Sequence, residues 1–317
     1  MLRQANMLKR ISLLRLHAYR AHVIEKLAYR VLGPWFISSA GQTFRRLIST
    51  SVPVSTTAQL RLAVVVHAYY PDLLSEVMDC YRILPEGTPL FVTVPAERYD
   101  EAAQILAGHA QVHLISSPNR GRDIAPFLTL LNSRKLDSFD AVLKLHTKRS
   151  PHLRDGDLRR RLLFTTLCGE RNATIRALTA FCNPQVGMVG WGASFRKTPF
   201  YWMANRPKVA ELASAVKAGD TARVGFFEGS MFWFRPQAFE PLRRLDLSVG
   251  DFEPESGQLD GALHHAIERF FSIAAWSAGY KVCDLRGRLL TGGELAGEWP
   301  KSSVLAVGKC LENDPTI

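Results

Sequence analysis

The chain has 317 residues, 47% of them hydrophobic, which suits one large α/β domain with an appendage or two small domains and excludes global disorder. Its formal charge of +11 is concentrated: residues 1–50 hold Arg3, Lys9, Arg10, Arg15, Arg20, Lys26, Arg30, Arg45 and Arg46 against one acid, Glu25, a net +8 that leaves +3 for the rest. A basic end on a near-neutral body points to a local anionic surface and not to a nucleic acid, for which no recognition motif is present.

Five cysteines (Cys80, Cys168, Cys182, Cys283, Cys310) are scattered without a CxxC pair, which argues against structural zinc and a disulfide framework and for free thiols in a reducing cytosol. No run of about 18 apolar residues occurs, so no transmembrane helix is expected. No apolar stretch with a small-residue cleavage site follows the N-terminus, so no secretory signal is expected.

Taken in chain order, residues 6–32 read as an amphipathic helix. Met7, Ile11, Leu14, Ala18 and Ala21 recur at helical spacing, Ile24, Ala28 and Val31 continue the stripe, and Gly33-Pro34 is expected to end it. Such a helix either lies in a membrane interface or packs on the protein's own core; an Arg-rich organelle presequence is a third reading. Residues 50–60 are Ser/Thr-rich and read as a linker. The expected organisation is therefore residues 1–60 as N-terminal helix and linker, 61–292 as the folded body, and 293–317 as a tail without strong pattern.

Within the body, Leu62–Val66, Leu90–Val94, Val112–Ile115 and Ala141–Leu145 are short apolar runs, as strands buried on both faces require. Helical stripes lie between them: one opened by Pro71, one from Tyr99 to Leu106 stopped by Gly108, and one over residues 124–132. The alternation predicts an α/β fold with a mostly parallel sheet flanked by helices. Further on, the sequence predicts helix to about Cys182 with a break at Gly169, a strand at Val186–Val189, one aromatic strand over Phe226–Phe234, and a helix beginning near Asp260. Ligands bind such sheets at the carboxyl ends of the strands, and the loops starting at His67, Ser116 and His146 leave from that edge.

Four clusters there carry polar chemistry. His67-Ala68-Tyr69-Tyr70 could stack on a nucleobase or bond a ribose, or form a capped loop around a Tyr pair. Asn119-Arg120-Gly121-Arg122-Asp123 suits a tight turn with φ > 0, Asp123 capping the next helix and two arginines favouring a diphosphate; taken by itself it reads first as an ordinary strand-to-helix turn. Lys144-Leu145-His146-Thr147-Lys148-Arg149-Ser150 is a cationic pocket edge or a solvated basic loop. Lastly, Glu228 stands at the mouth of an aromatic strand with Trp233 and phenylalanines expected in the core. Asp260, His264 and Glu268 follow at spacings of four and could share one helix face, positioning a hydroxyl and removing its proton, or form an N-cap and a solvent-facing stripe.

The runs HAYYPDLL, NRGRDIAPFL, KLHTKRS, FFEGSMFWFRP and QLDGALHHAIERFF, in this order over about two thirds of the chain, resemble the rhamnan synthesis protein F family. The resemblance implies a glycosyltransferase, often a rhamnosyltransferase, of bacterial polysaccharide or lipopolysaccharide assembly. It also implies a GT-A-like plan, in which Asn119 and Gly121 match the turn before a helix and Asp260 the late acid that serves as catalytic base. The wider GT-A plan places a metal-holding Asp-x-Asp where this chain has His146-Thr147-Lys148, which offers a hard cation no carboxylate. The expectation is metal-independent inverting transfer. Asp260, with Glu228 second, is the catalytic residue. His67, Tyr69, Asn119, Gly121, Arg122, Asp123, His146, Lys148 and Arg149 hold the donor, and His264 and Trp233 meet the acceptor. The alternative is Mg or Mn on His146 with Glu228 or Asp123. The implied partners are a nucleotide-sugar donor such as dTDP-rhamnose, a lipid-linked glycan acceptor and, through residues 6–32, an anionic membrane at the inner face of the cytoplasmic membrane. The competing class is a non-catalytic partner in polysaccharide assembly that keeps the fold.

Overall fold

The structure, a computed structural model, describes Leu27 and residues 30–48, 60–149, 155–197, 199–219 and 223–293. Two compact units divide the chain, Met1–Ser49 and Thr50–Ile317. Most of the helix predicted at 6–32, nearly all of the 50–60 linker and the tail beyond Gly293 lie outside the described residues.

In the first unit, Leu27 and residues 30–37 are helical, so the helix runs through Gly33-Pro34 instead of ending there. The break comes at Ser38. Its hydroxyl donates to the Trp35 carbonyl (2.6 Å) and accepts the Gly41 N–H (3.2 Å), capping the next helix, Ser39–Ile48. A serine that satisfies orphan groups on both sides stops the helix where a proline that forfeits one hydrogen bond did not.

The second unit is built on a seven-stranded sheet, ordered β3-β2-β1-β4-β8-β5-β9. Its strands are β1 (Leu62–His67), β2 (Leu90–Pro95), β3 (Val112–Ser117), β4 (Ala141–His146), β5 (Val186–Gly190), β8 (Phe232–Phe234) and β9 (Lys281–Asp284). β1 to β4 are mutually parallel, and β8 alone opposes its neighbours β4 and β5. The first strands are continuously apolar because both faces are covered. Ala63 and Val65 face the layer that contains helix Ile124–Asn132 and helix Leu263–Ser277. Leu62, Val64 and Val66 face the layer with helices Leu74–Tyr81, Tyr99–Leu106, Gly156–Leu167 and Arg171–Phe181.

The aromatic segment differs from the single strand predicted. Phe226–Phe227 (β7) pairs with Phe195–Arg196 (β6) in a separate two-stranded sheet, and β8 joins the main one. The turn between them contains two consecutive left-handed residues, Gly229 (φ 91) and Ser230 (φ 54), which no straight strand accommodates. The last helix begins at Leu263, so Asp260 lies in the preceding loop and not on the helix face with His264 and Glu268.

Candidate active site

Parallel pairing sets the site. His67 and His146 end adjacent strands in register, side by side at the carboxyl edge of the sheet. Next to them the chain turns through Asn119–Asp123 with Gly121 (φ 68) and Arg122 (φ 52) both left-handed. A Cβ at Gly121 would lie 2.6 Å from the Ala125 Cβ and 2.7 Å from the Phe252 ring, so this position requires glycine.

Asp123 does not cap the helix that follows it. Its Oδ2 instead accepts a hydrogen bond from Lys144 Nζ at 2.6 Å and lies 2.9 Å from His146 Nδ1, a close contact without hydrogen-bond geometry. Burial pushes the Asp123 carboxyl up, but the facing His146 and Lys144 outweigh this and hold it well below the usual carboxylate value. Burial likewise lowers His146, and takes His67 down to about 4. His67 Nδ1 is 3.0 Å from Thr93 Oγ1, a buried pair that fixes the ring.

The last helix supplies the opposite wall. The His264 and His265 rings lie 4.1 Å apart, tilted at 46°, and both are lowered chiefly by burial, His265 to about 2. Among the described residues, neither ring nitrogen of His264 or His146 has a hydrogen-bond partner, although both side chains are buried. Buried polar atoms left so are uncommon in folded proteins and concentrate where a ligand or water acts. One turn on from His264, Glu268 Oε1 accepts the Gly229 N–H at 3.1 Å. Burial raises the Glu268 carboxyl, opposed by Arg269 and Lys148 and reinforced by Asp123 and Glu228. Glu268 is thus electrostatically within the same cluster as Asp123, Lys148 and Glu228.

The structure therefore gathers His67, Asp123, His146, Lys148, Glu228 and His264 of the predicted set, and it distributes the others. Arg122 is tied to the segment after Phe252: its N–H meets Glu255 Oε1 (3.2 Å), its guanidinium bonds the Gln258 carbonyl, and Nη1 lies 3.4 Å from His265 Nε2. Asn119 is exposed and donates to Glu97 (3.2 Å). Tyr69 is exposed and packs edge-on to Tyr70. Arg149 is exposed, paired with Asp72 and stacked 5.1 Å from the Tyr70 ring. Glu228 pairs with Arg196 (2.5 Å) and Arg159 (3.4 Å).

Two assignments change. Trp233 is fully buried and donates its Nε1–H to the Leu167 carbonyl (3.0 Å), so it is a core residue and has no surface to offer an acceptor. Asp260 accepts from the Ala204 N–H (2.8 Å) and the Asn205 side-chain amide (2.5 Å), with Arg269 at 3.8 Å. With both oxygens so engaged, the Asp260 carboxylate fastens the loop before the Leu263–Ser277 helix to the Ala204–Asn205 segment.

A divalent cation is poorly served here. The Asp123 Oδ2 already faces an ammonium and Glu228 two guanidinium groups; among the described residues no group of three or more His, Cys, Asp or Glu side chains is arranged to hold a metal.

Three contributors stand outside the predicted site residues. Lys144 is the centre of the Asp123 contacts, and a lysine inside the apolar strand Ala-Val-Leu-Lys-Leu-His was the available signal. Arg160, buried and paired with Glu76 (3.0 Å), donates to the Lys148 carbonyl at 2.8 Å and so anchors the loop carrying Lys148; nothing in its helix marks it out. His265 was read only as part of a motif.

Fold and site together define an α/β protein with a buried, titratable cluster at the carboxyl edge of a mostly parallel sheet. The model of the rhamnan synthesis protein F family matches residues 35–280, and the chain belongs to that family. It is also similar to the uncharacterized protein WxcX of Xanthomonas campestris pv. campestris strain B100, at 35% identity over 224 residues, 69% of this chain and 32% of that protein. The counterpart in strain ATCC 33913 is 34% identical over the same length. The chain thus spans about a third of the length of the curated relatives it matches. No solved structure matches it. Family membership supports a role in polysaccharide synthesis.

Proposed function

We propose that the chain is a glycosyltransferase that moves a sugar from a nucleotide-sugar donor onto a growing cell-surface polysaccharide or lipopolysaccharide, with inversion and without a metal. The carrying observation is the convergence of the raised Glu268 carboxyl, the His146 ring against Asp123, the His264 ring without a hydrogen-bond partner among the described residues, and Lys148 at the edge of the sheet where α/β proteins bind ligands. The family description favours rhamnose, with dTDP-rhamnose the donor to try first.

The acceptor hydroxyl attacks the anomeric carbon as the bond from that carbon to the diphosphate oxygen breaks. Glu268 takes the hydroxyl proton. Its raised affinity for protons makes it a stronger base than an exposed carboxylate, and base catalysis of this kind contributes about 10²–10⁴-fold. Lys148, exposed just past the strand end, offsets the charge that builds on the leaving diphosphate. His146 and His264, held neutral by burial, offer ring nitrogens to sugar or phosphate oxygens. Asp260 holds the loop that leads into the last helix.

The test is a thermal-shift screen of nucleotide sugars, with and without manganese, followed by transfer assays on the donor that stabilises the protein. Stabilisation by none of them, or transfer abolished by a chelator and restored by manganese, would count against the reading. Donor binding without transfer would favour the non-catalytic partner.

The first unit supports a membrane-facing role. Leu27, Val31 and Trp35 stand four residues apart and are 55%, 71% and 46% exposed, with Leu32 beside them at 60%. An exposed apolar stripe on a segment of net charge +8 fits an anionic lipid surface, where glycan acceptors carried on lipids sit.

A further inference from the structure

Lys144 stands mid-strand in β4, opposite Val65 of β1, with 1% of its surface exposed. An ammonium is expensive to bury unless each of its hydrogens meets an acceptor. Lys144 Nζ has three: Asp123 Oδ2 at 2.6 Å, the Ser230 carbonyl at 2.9 Å and Ser230 Oγ at 3.1 Å. The rings of Phe127, Phe232 and Phe271, at 5.2, 5.8 and 5.8 Å, enclose the rest of the head group.

Those acceptors belong to two different walls of the site. Asp123 closes the Asn119–Asp123 turn, and Ser230 closes the turn from Glu228 to Ser230. Each turn contains a non-glycine residue in the left-handed region, Arg122 and Ser230, a conformation that persists where the surroundings over-determine it. The second turn also presents the Gly229 N–H that orients Glu268. One cation therefore spans from the carboxylate against His146 to the loop that holds Glu268.

We propose that Lys144 is a positioning residue: by fastening the Asp123 turn to the Glu228–Ser230 turn it sets the gap between the two walls, doing internally what a bridging divalent cation would do between a strand-end carboxylate and a neighbouring loop. This rests on the glycosyl-transfer reading above. Asp123 is neutralised from within the protein, which in that reading leaves Lys148 to the donor diphosphate.

The experiment is a double-mutant cycle on the full chain with Lys144→Met, Asp123→Asn and the double variant, each assayed for transfer and for thermal unfolding. A residue acting through geometry lowers kcat on the order of 10²-fold while leaving the donor KM within a few-fold, measured well below each melting temperature. The effects are non-additive: once Asp123 is Asn, losing Lys144 costs little more. The double variant, with no buried charge left unpaired, unfolds at a higher temperature than Lys144→Met, which keeps the cycle measurable if the single variant folds poorly. Wild-type kcat in folded Lys144→Met, or additive effects in the kcat cycle, would overturn the inference. If the wild-type chain transfers no sugar, the functional reading fails by itself; the unfolding cycle then still decides the link, and additivity there overturns it.

Discussion

The Gly229 N–H donates to Glu268 Oε1 at 3.1 Å, joining the turn between two short aromatic strands to the middle of the last helix. That bond aims a carboxylate whose proton affinity burial has raised toward the cluster containing Asp123 and Lys148. Glu268→Gln keeps the shape and the acceptor carbonyl but cannot take a proton. Transfer should fall by about 10²–10⁴-fold with donor binding retained, read as kcat beside a donor titration. Asp260→Asn serves as the contrast: it should lower the melting temperature, because Ala204 and Asn205 lose a charged acceptor, and spare the chemical step more than Glu268→Gln does. The reverse ranking would return the base role to Asp260.

Acid should destabilise the fold early. His67 is held at about 4 by burial, against 6.5 for a free imidazole, so the unfolded chain takes up a proton that the folded chain refuses. The stability this represents is present above pH 6.5 and is lost as pH falls from there through about 4, on the order of 3 kcal/mol from this residue. Denaturant melts at steps from pH 7.5 to pH 4 measure it, and His67→Gln should flatten the slope in that window. An unchanged slope would mean that another group carries the effect.

Gly121→Ala should be among the more damaging single-methyl changes in the chain. The backbone is left-handed there, and the added carbon would sit 2.6 Å from the Ala125 Cβ and 2.7 Å from Phe252. Strain and overpacking together predict a loss of about 2–4 kcal/mol, seen as a lower denaturant midpoint at unchanged slope. Retained stability would show that the turn can repack.

Trp233→Phe separates core from site. The change removes buried volume and leaves the Leu167 carbonyl without its donor, a loss of about 2–4 kcal/mol. Donor and acceptor KM should stay within about two-fold, since uniform binding contacts are untouched. A selective rise in acceptor KM with stability intact would restore the acceptor role.

Vesicle binding should follow the exposed stripe of the first unit. The full chain should co-sediment with vesicles of phosphatidylcholine and phosphatidylglycerol and much less with phosphatidylcholine alone, and Val31→Glu should weaken binding by roughly ten-fold. Equal binding of wild type and Val31→Glu would remove the stripe from this role.

Much of this architecture was readable without coordinates. Strands β1 to β5 fall where short apolar runs predicted them, because β1, β2, β4 and β5 are covered on both faces and the partly exposed edge strand β3 still packs Val112, Leu114 and Ile115 against the core. The common edge at which the parallel strands end follows from their order, and with it the neighbourhood of His67, His146 and the Asn119–Asp123 turn. Where the prediction of elements went astray, a local detail was decisive: Ser38 capping a helix that Pro34 did not stop, and left-handed Gly229 and Ser230 dividing one aromatic run between two sheets.

What spacing determines is which residues a helix or strand can present; which partners saturate them depends on contacts between segments far apart in the chain. Asp123 sits before a helix and looks like a cap, yet its carboxylate turns to Lys144, 21 residues on, because a buried ammonium demands an anion more strongly than a helix end that water can serve. Asp260 looks like the late acid of a motif, yet Ala204 and Asn205 occupy it, while Glu268 is raised by burial that only the packed helix creates. The sequence alone determined the parallel strands, the edge at which they end and the family; the tertiary structure decided how the aromatic run divides between two sheets and which charges on that edge are already neutralised.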